Sequence, residues 1–403
     1  MPANRQCTAK APLILVGAFD RHNLGDLLFP HIICALLPEA QPLFAGLAQR
    51  DMRAYGGHQV LALADLMRQH AGQPVRLIHV GGELLDCDLY QAAIMLHSAP
   101  EARQLIRRYD ADPSAGLRWA QQQLGLQQQC AYLADKRCFA EPSRFIYNAI
   151  GGVELHSASG GYRQEVLARL KQADFISVRD HQTQQMLAQA GIPSQLQPDC
   201  VALLPTLFGS TVDQHGQQGE VAAIRHRCAN SYLAVQFAAE YGDDASLTTI
   251  ATQLAAVAAQ QQLAIVFFRA GAAPWHDATE VYQRLAALLP GIHTQLFQSL
   301  NIWDICALLR HCRAFCGTSL HGRIIANSFS RPAVSFAAAG RYHKLAAYLR
   351  SHLPPDGAEV QQPGQFATAL LRAMATPKGH LQQHAIQQAA QARQGCAAWL
   401  SLL

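Results

Sequence analysis

At 403 residues, 50% of them hydrophobic and 15% charged, the chain can bury two cores of about 200 residues each. Its formal net charge of +4 is too small to argue for a nucleic-acid partner, and no apolar stretch reaches the length of a membrane span. The eleven cysteines are an odd number and scattered, and the polar first ten residues lead into too short an apolar run for a secretory signal, so the expectation is a cytoplasmic protein with reduced thiols.

Residues 12–19 are a compact apolar run, followed by Asp-Arg-His-Asn-Leu-Gly-Asp and a second apolar stretch, which reads as strand, turn and helix. Gly25 permits a tight path there, and Asp26 suits the cap of a helix beginning at Leu27. Residues 60–70 have a helical pattern, and 75–80 read as a buried strand ending at Gly81 and Gly82. Paired glycines at a strand end leave backbone open to a ligand or to close packing. Residues 84–108 read as largely helical, and the Gln-rich 121–129 as helix or exposed loop. The strand at 145–150 ends at Gly151 in the same way, and a helix at 164–173 precedes a strand at 175–178. Arg179 and Asp180 then stand at a strand's carboxyl end, the edge where open α/β sheets bind ligands. Arg179 suits an anion contact or a structural salt bridge, and Asp180 a helix cap or a partner for Arg179.

The Gly/Gln-rich segment 209–219 is the best linker candidate, which divides the chain into a Rossmann-like domain at 1–208, a second at 220–375 and a helical tail at 376–403 placed to reach back to the first. In the second half, strands at 231–237 and 263–268 alternate with helices at 247–260, 278–289 and 302–311. This alternation in both halves implies parallel sheets with helices on their faces. His311, Cys312 and Cys316 lack a fourth ligand at metal-binding spacing, so core packing is expected and no metal. Between residues 281 and 355 the one acidic residue is Asp304 against eight Arg and Lys, an imbalance that favours a small anionic ligand or a basic solvated face. At 313–336, RAFCGTSLHGRIIANSFSRPAVSF joins a strand, a turn, a helix and a strand. Ser319 suits the N-cap and His321 the first turn. A helix N-terminus stabilises an anion, and Arg323 adds a charge nearby; the plainer alternative is that Ser319 only caps and His321 only packs.

This stretch resembles the signature of the polysaccharide pyruvyl transferase family, together with NLGD at 23–26, IHVGGELL at 78–85, IYNAIGG at 146–152, SVRD at 177–180, PDC at 198–200 and RYHKL at 341–345. The resemblance implies an α/β, GT-B-like fold of two Rossmann-like domains facing a cleft. It also implies transfer of a pyruvyl group from phosphoenolpyruvate to sugar hydroxyls, usually closing a cyclic ketal. His321 is then the expected general acid/base, since histidine alone titrates in the physiological range when unperturbed. Arg179, Arg323 and Lys344 are expected to hold the donor's anionic groups, with Ser319, Asn23, Asp26, Gly81 and Gly151 lining the substrate site. The expected partners are phosphoenolpyruvate and a glycan or lipid-linked sugar acceptor, with no separate cofactor, no nucleic acid and no membrane span; peripheral membrane association stays compatible. Two departures stand out: Leu27 where many members have an acidic residue, and Ser319 where many have Arg, so that either Arg323 replaces the charge from one turn away or the donor chemistry differs. The competing readings are a GT-B glycosyltransferase using a nucleotide sugar, against which no Glu occurs between Glu280 and Glu359, and a catalytically silent glycan-binding or assembly protein.

Overall fold

Short apolar runs with no polar face, such as Leu-Ile-Leu-Val and Ala-Phe-Cys-Gly, suit strands buried on both sides by crossover helices, and such runs build both sheets. The computed structural model describes residues 11–403 except 229, 230, 275, 339, 341, 342, 354–356 and 358; Arg341 and Tyr342 of the RYHKL motif therefore lie outside the described residues. The first sheet contains β1 (Leu13–Val16), β2 (Leu43–Gly46), β3 (Arg50–Asp51), β4 (Gln59–Ala62), β5 (Arg76–His79), β6 (Arg144–Ile150), β7 (Phe175–Val178) and β8 (Gln195–Leu196). Their spatial order is 3-4-2-1-5-6-7-8, parallel except where β3 meets β4. The second sheet contains β9 (Tyr232–Gln236), β10 (Ala264–Phe267), β11 (Thr294–Leu296), β12 (Ala314–Gly317), β13 (Ala333–Phe336) and β14 (Val360–Gln361), in the order 11-10-9-12-13-14.

Each order has one switch point, between β1 and β5 in the first sheet and between β9 and β12 in the second. Loops leaving the carboxyl ends of two such strands diverge and open a crevice. The loops after β1, β5, β9 and β12 all feed the same cleft, so the fold itself brings residues near 21, 83, 236 and 319 together.

Several boundaries differ from the sequence expectation. Residues 59–62 are β4, and the helix predicted from 60 begins only at Leu63. The expected linker at 209–219 is instead the second half of the Leu204–His215 helix and the turn into the Gly219–Arg227 helix. Asp213 and Asp304 explain this, because Arg310 Nη2 donates to Asp213 (2.7 Å) and His215 Nδ1 meets Asp304 (2.6 Å), which clamps the segment to the Ile302–His311 helix of the second half. Composition favoured flexibility; these pairings favour helix.

The tail does reach back. Along the Lys378–Leu400 helix, Trp399 Nε1 donates to Asn148 Oδ1 (3.0 Å) on β6. One apolar cluster runs without a break from the Leu24–Leu36 helix through the Ile302–His311 and Leu320–Ser328 helices to Trp399, so the two halves share a core. Cys312 and Cys316 are fully buried within the cores. Among the described residues no helix is long and apolar enough to cross a membrane.

Candidate active site

A cleft of about 340 Å³ lies between the two sheets, lined by Arg21, Asn23, Asp26, Glu83, Asp86 and Arg179 from the first and by Gln236, Asp277, Ser319, His321 and Lys344 from the second. Its two walls are tied directly. Asn23 caps the Leu24–Leu36 helix, its Oδ1 accepting from Gly25 N (3.2 Å). The next amide, Leu24 N, donates to Ala270 O (2.8 Å) beyond β10. Asp26, expected as the cap, is instead in the helix's first turn and turned to the cleft; burial raises its pKa against the opposing charges of Arg21, His321, Arg179 and Lys344.

His321 occupies the seam. The Leu320–Ser328 helix begins where Ser319 Oγ accepts from Gly322 N (3.1 Å), and Ser319 N donates to Gln236 Oε1 (2.8 Å) at the end of β9. That geometry puts the imidazole over Gly25, so close that any Cβ there would overlap the ring. Phe29, one turn further along the same helix, packs edge-on to it with ring centroids 5.4 Å apart. Glycine at position 25 is thus required by the close approach of a side chain from the other half.

Behind His321 stands Asp199, fully buried, with Oδ2 3.4 Å from His321 Nε2 and 3.6 Å from Arg179 Nη1. These are longer than formed hydrogen bonds, and among the described residues the three atoms have no other hydrogen-bond partner. Burial alone would raise the Asp199 pKa, but His321 and Arg179 outweigh it and hold the carboxyl below its ordinary value. A carboxylate behind a histidine orients the ring and stabilises its protonated form. Nε2 is buried beside Asp199, and Nδ1 lies against Gly25. The Pro-Asp-Cys motif contains Asp199, but no spacing rule connects it to a histidine 122 positions on.

The cationic residues sort differently from the sequence expectation. Arg179 is buried between two carboxylates, bonded to Glu83 and near Asp199. Its guanidinium borders the cleft with its charge already balanced. Arg323 does not reach the cleft at all; its Nη2 donates to Gly357 O (2.9 Å), and the side chain lines a different cavity. It therefore cannot stand in for an Arg at position 319. Lys344, exposed in the His343–His352 helix, does line the cleft. Arg21 was missed. It is only 8% exposed, bonds to the Tyr132 hydroxyl and borders the cleft with Nε unpartnered.

The glycines serve as supports. Gly81 has φ +132° and backs onto Phe29, while a Cβ on Gly151 would lie 2.5 Å from Glu83 Oε2 and 2.8 Å from Arg179 Nε; neither lines the cleft. Asp180 caps the His181–Gln189 helix through Thr183 N (2.7 Å). Of the His276–Asp277 pair, burial holds His276 neutral with its pKa near 3 and pushes Asp277 up to about 7, where it accepts from Gln236 Nε2 (2.7 Å).

The arrangement can do acid–base chemistry on an anionic substrate: a carboxylate-backed histidine, a capped helix N-terminus, and the cations Arg21 and Lys344 converge on one crevice. Comparison with known proteins agrees with this architecture. No curated protein matches the chain. Among solved structures, the UDP-GlcNAc 2-epimerase of Neisseria meningitidis bound to UDP-GlcNAc is 12% identical over 93% of each chain, with a TM-score of 0.50. A putative UDP-N-acetylglucosamine 2-epimerase of Listeria monocytogenes is 10% identical over 94% of this chain and 91% of that one (TM-score 0.52). Anabaena Alr3699/HepE in complex with UDP and glucose is 13% identical over 98% and 100% (TM-score 0.52). At such identities the likeness is one of fold, and the fold is GT-B. The family model described as polysaccharide pyruvyl transferase matches residues 144–339, the segment holding Arg179, Asp199, Ser319 and His321. Over that segment, just under half of its length, the chain matches the polysaccharide pyruvyl transferase family.

Proposed function

We propose that the protein transfers the pyruvyl group of phosphoenolpyruvate to sugar hydroxyls of a glycan or lipid-linked precursor and closes a cyclic ketal, with His321 as general acid/base. The observation that carries this reading is the His321–Asp199 pair seated over Gly25, inside a cleft that also presents Arg21 and Lys344. Phosphoenolpyruvate carries a phosphate and a carboxylate, which call for several cationic donors; Arg supplies a planar fork and Lys a point charge.

Chemistry begins when protonated His321 delivers its proton to C3, turning the methylene into a methyl and leaving C2 electrophilic. One sugar hydroxyl attacks C2 and its proton returns to the imidazole. The C2–O bond to phosphate then breaks, and the neighbouring hydroxyl closes the ring, its proton leaving with inorganic phosphate. One donor and one diol thus give one ketal and one phosphate, with no redox change. Asp199 steadies the imidazolium at the start and end of this cycle, and its long contacts to His321 and Arg179 are of the kind that tighten when substrate binds.

Phosphate release from phosphoenolpyruvate, measured with and without glycans bearing neighbouring free hydroxyls, tests the reading. Release that depends on such an acceptor is expected. Failure to turn over phosphoenolpyruvate, or consumption of a UDP-sugar in its place, contradicts it.

A further inference from the structure

A second cavity of about 410 Å³ lies away from the cleft, between β13, the Phe366–Ala375 helix and the start of the Lys378–Leu400 helix. Arg323 reaches it from the flank of the Leu320–Ser328 helix. This arginine is 5% exposed, and among the described residues it makes no ion pair and its Nε has no hydrogen-bond partner. Among the described residues its hydrogen bond goes to a neutral carbonyl, Gly357 O. Burying a guanidinium without a counter-charge is costly, and burial does lower its pKa to about 10. Arg372, His380 and His384 stand on the same wall, and the acidic lining residue is Glu359, which is exposed. Leu353, Leu381, Val334 and Ala369 give the cavity an apolar strip beside neutral polar side chains such as Asn327 and Gln365.

We propose that this cavity binds an amphiphilic anion, a phosphate or carboxylate group carried on an apolar chain, with Arg323 as the buried counter-charge and Arg372 at the mouth. The anionic group satisfies the orphaned Nε and compensates the guanidinium, while the apolar chain lies along the Leu and Ala wall. The occupant is distinct from the donor in the cleft, because Arg323 points about 200° around its helix from His321.

Octyl phosphate is a suitable probe, with octanol and inorganic phosphate as controls for each half of the requirement. Hydrogen exchange of the full-length protein should show slowed exchange across residues 320–328 and 366–384 with octyl phosphate, and little with either control. Arg323→Met should abolish that protection. Arg372→Gln, on the surface and no threat to folding, should weaken apparent affinity about tenfold. No protection in these segments, protection by octanol equal to that by octyl phosphate, or equal protection in the wild type and Arg372→Gln protein would overturn the proposal.

Discussion

Asp86 and Glu83 share the cleft floor, and Arg179 decides between them. Burial would raise the Glu83 pKa, yet the charges of Arg179 and Lys344 hold it down. Asp86 has no such counter-charge, so burial, followed by repulsion from Glu83, raises its pKa. A proton therefore stays on Asp86 in the folded protein where the unfolded chain has lost it. The sign follows from linkage: stability from a raised carboxyl is fully present below its unfolded pKa near 4 and is lost as pH rises through the folded value. Glu83, shifted the other way, acts only at lower pH. Asp86→Asn mimics the protonated acid, keeping an acceptor for Glu154 N, which donates to Asp86 at 2.8 Å, and a donor towards Glu83. Urea unfolding between pH 5 and 8 should show the wild type losing stability with rising pH by up to about 1.4 kcal/mol per unit from this group, with a shallower slope in the Asn variant. Equal slopes would mean Asp86 ionises normally. Arg179→Ala is by contrast a poor probe of donor affinity, since it leaves Glu83 and Asp199 buried without their cation, a loss of about 3–5 kcal/mol in stability.

At the scale of elements, two helices meet end to flank, and Gly25 is the point of contact. Because the His321 ring occupies the space a Cβ would take, Gly25→Ala should push the Leu320–Ser328 helix off the Leu24–Leu36 helix while leaving each sheet folded. Small-angle scattering is expected to give a larger radius of gyration, and activity should fall at least tenfold, as a displacement of about 1 Å at a reacting group costs on the order of 10²-fold. An active, equally compact Ala variant would show that His321 does not need its seat on the first half. The same helices show what periodicity could and could not tell. Ser319 as N-cap and His321 in the first turn were legible from residue type. Arg323 was misplaced because its proximity in sequence was read as proximity in space, although two positions along an α-helix turn a side chain through about 200°. Asp26 lost its expected capping role to Asn23 for a related reason: either residue type can cap, and only the start of the helix chooses.

For the whole molecule, the paired Rossmann-like halves were legible because buried parallel strands announce themselves as short unbroken apolar runs, as at 13–16, 232–235 and 314–317. The shared cleft follows from where the two strand orders switch, which no single run reveals. Arg21 with Tyr132, Asp199 with His321 and Asn148 with Trp399 are joined across 111, 122 and 251 positions, and such pairings leave no local pattern to read. The 209–219 segment was misread for the same reason, its helix being secured by Arg310 and Asp304 far along the chain.

All of these contacts converge on one proposition, that His321, backed by Asp199 and seated on the first half, moves the proton in transfer from phosphoenolpyruvate. The direct measurement is single-turnover ketal formation, followed by proton NMR of the new methyl group, in the wild type and in His321→Asn. The expected result is a loss of about 10²- to 10⁴-fold in the rate, with phosphoenolpyruvate still bound and the thermal unfolding midpoint little changed. A folded Asn variant that binds donor and forms ketal at the wild-type rate would contradict it.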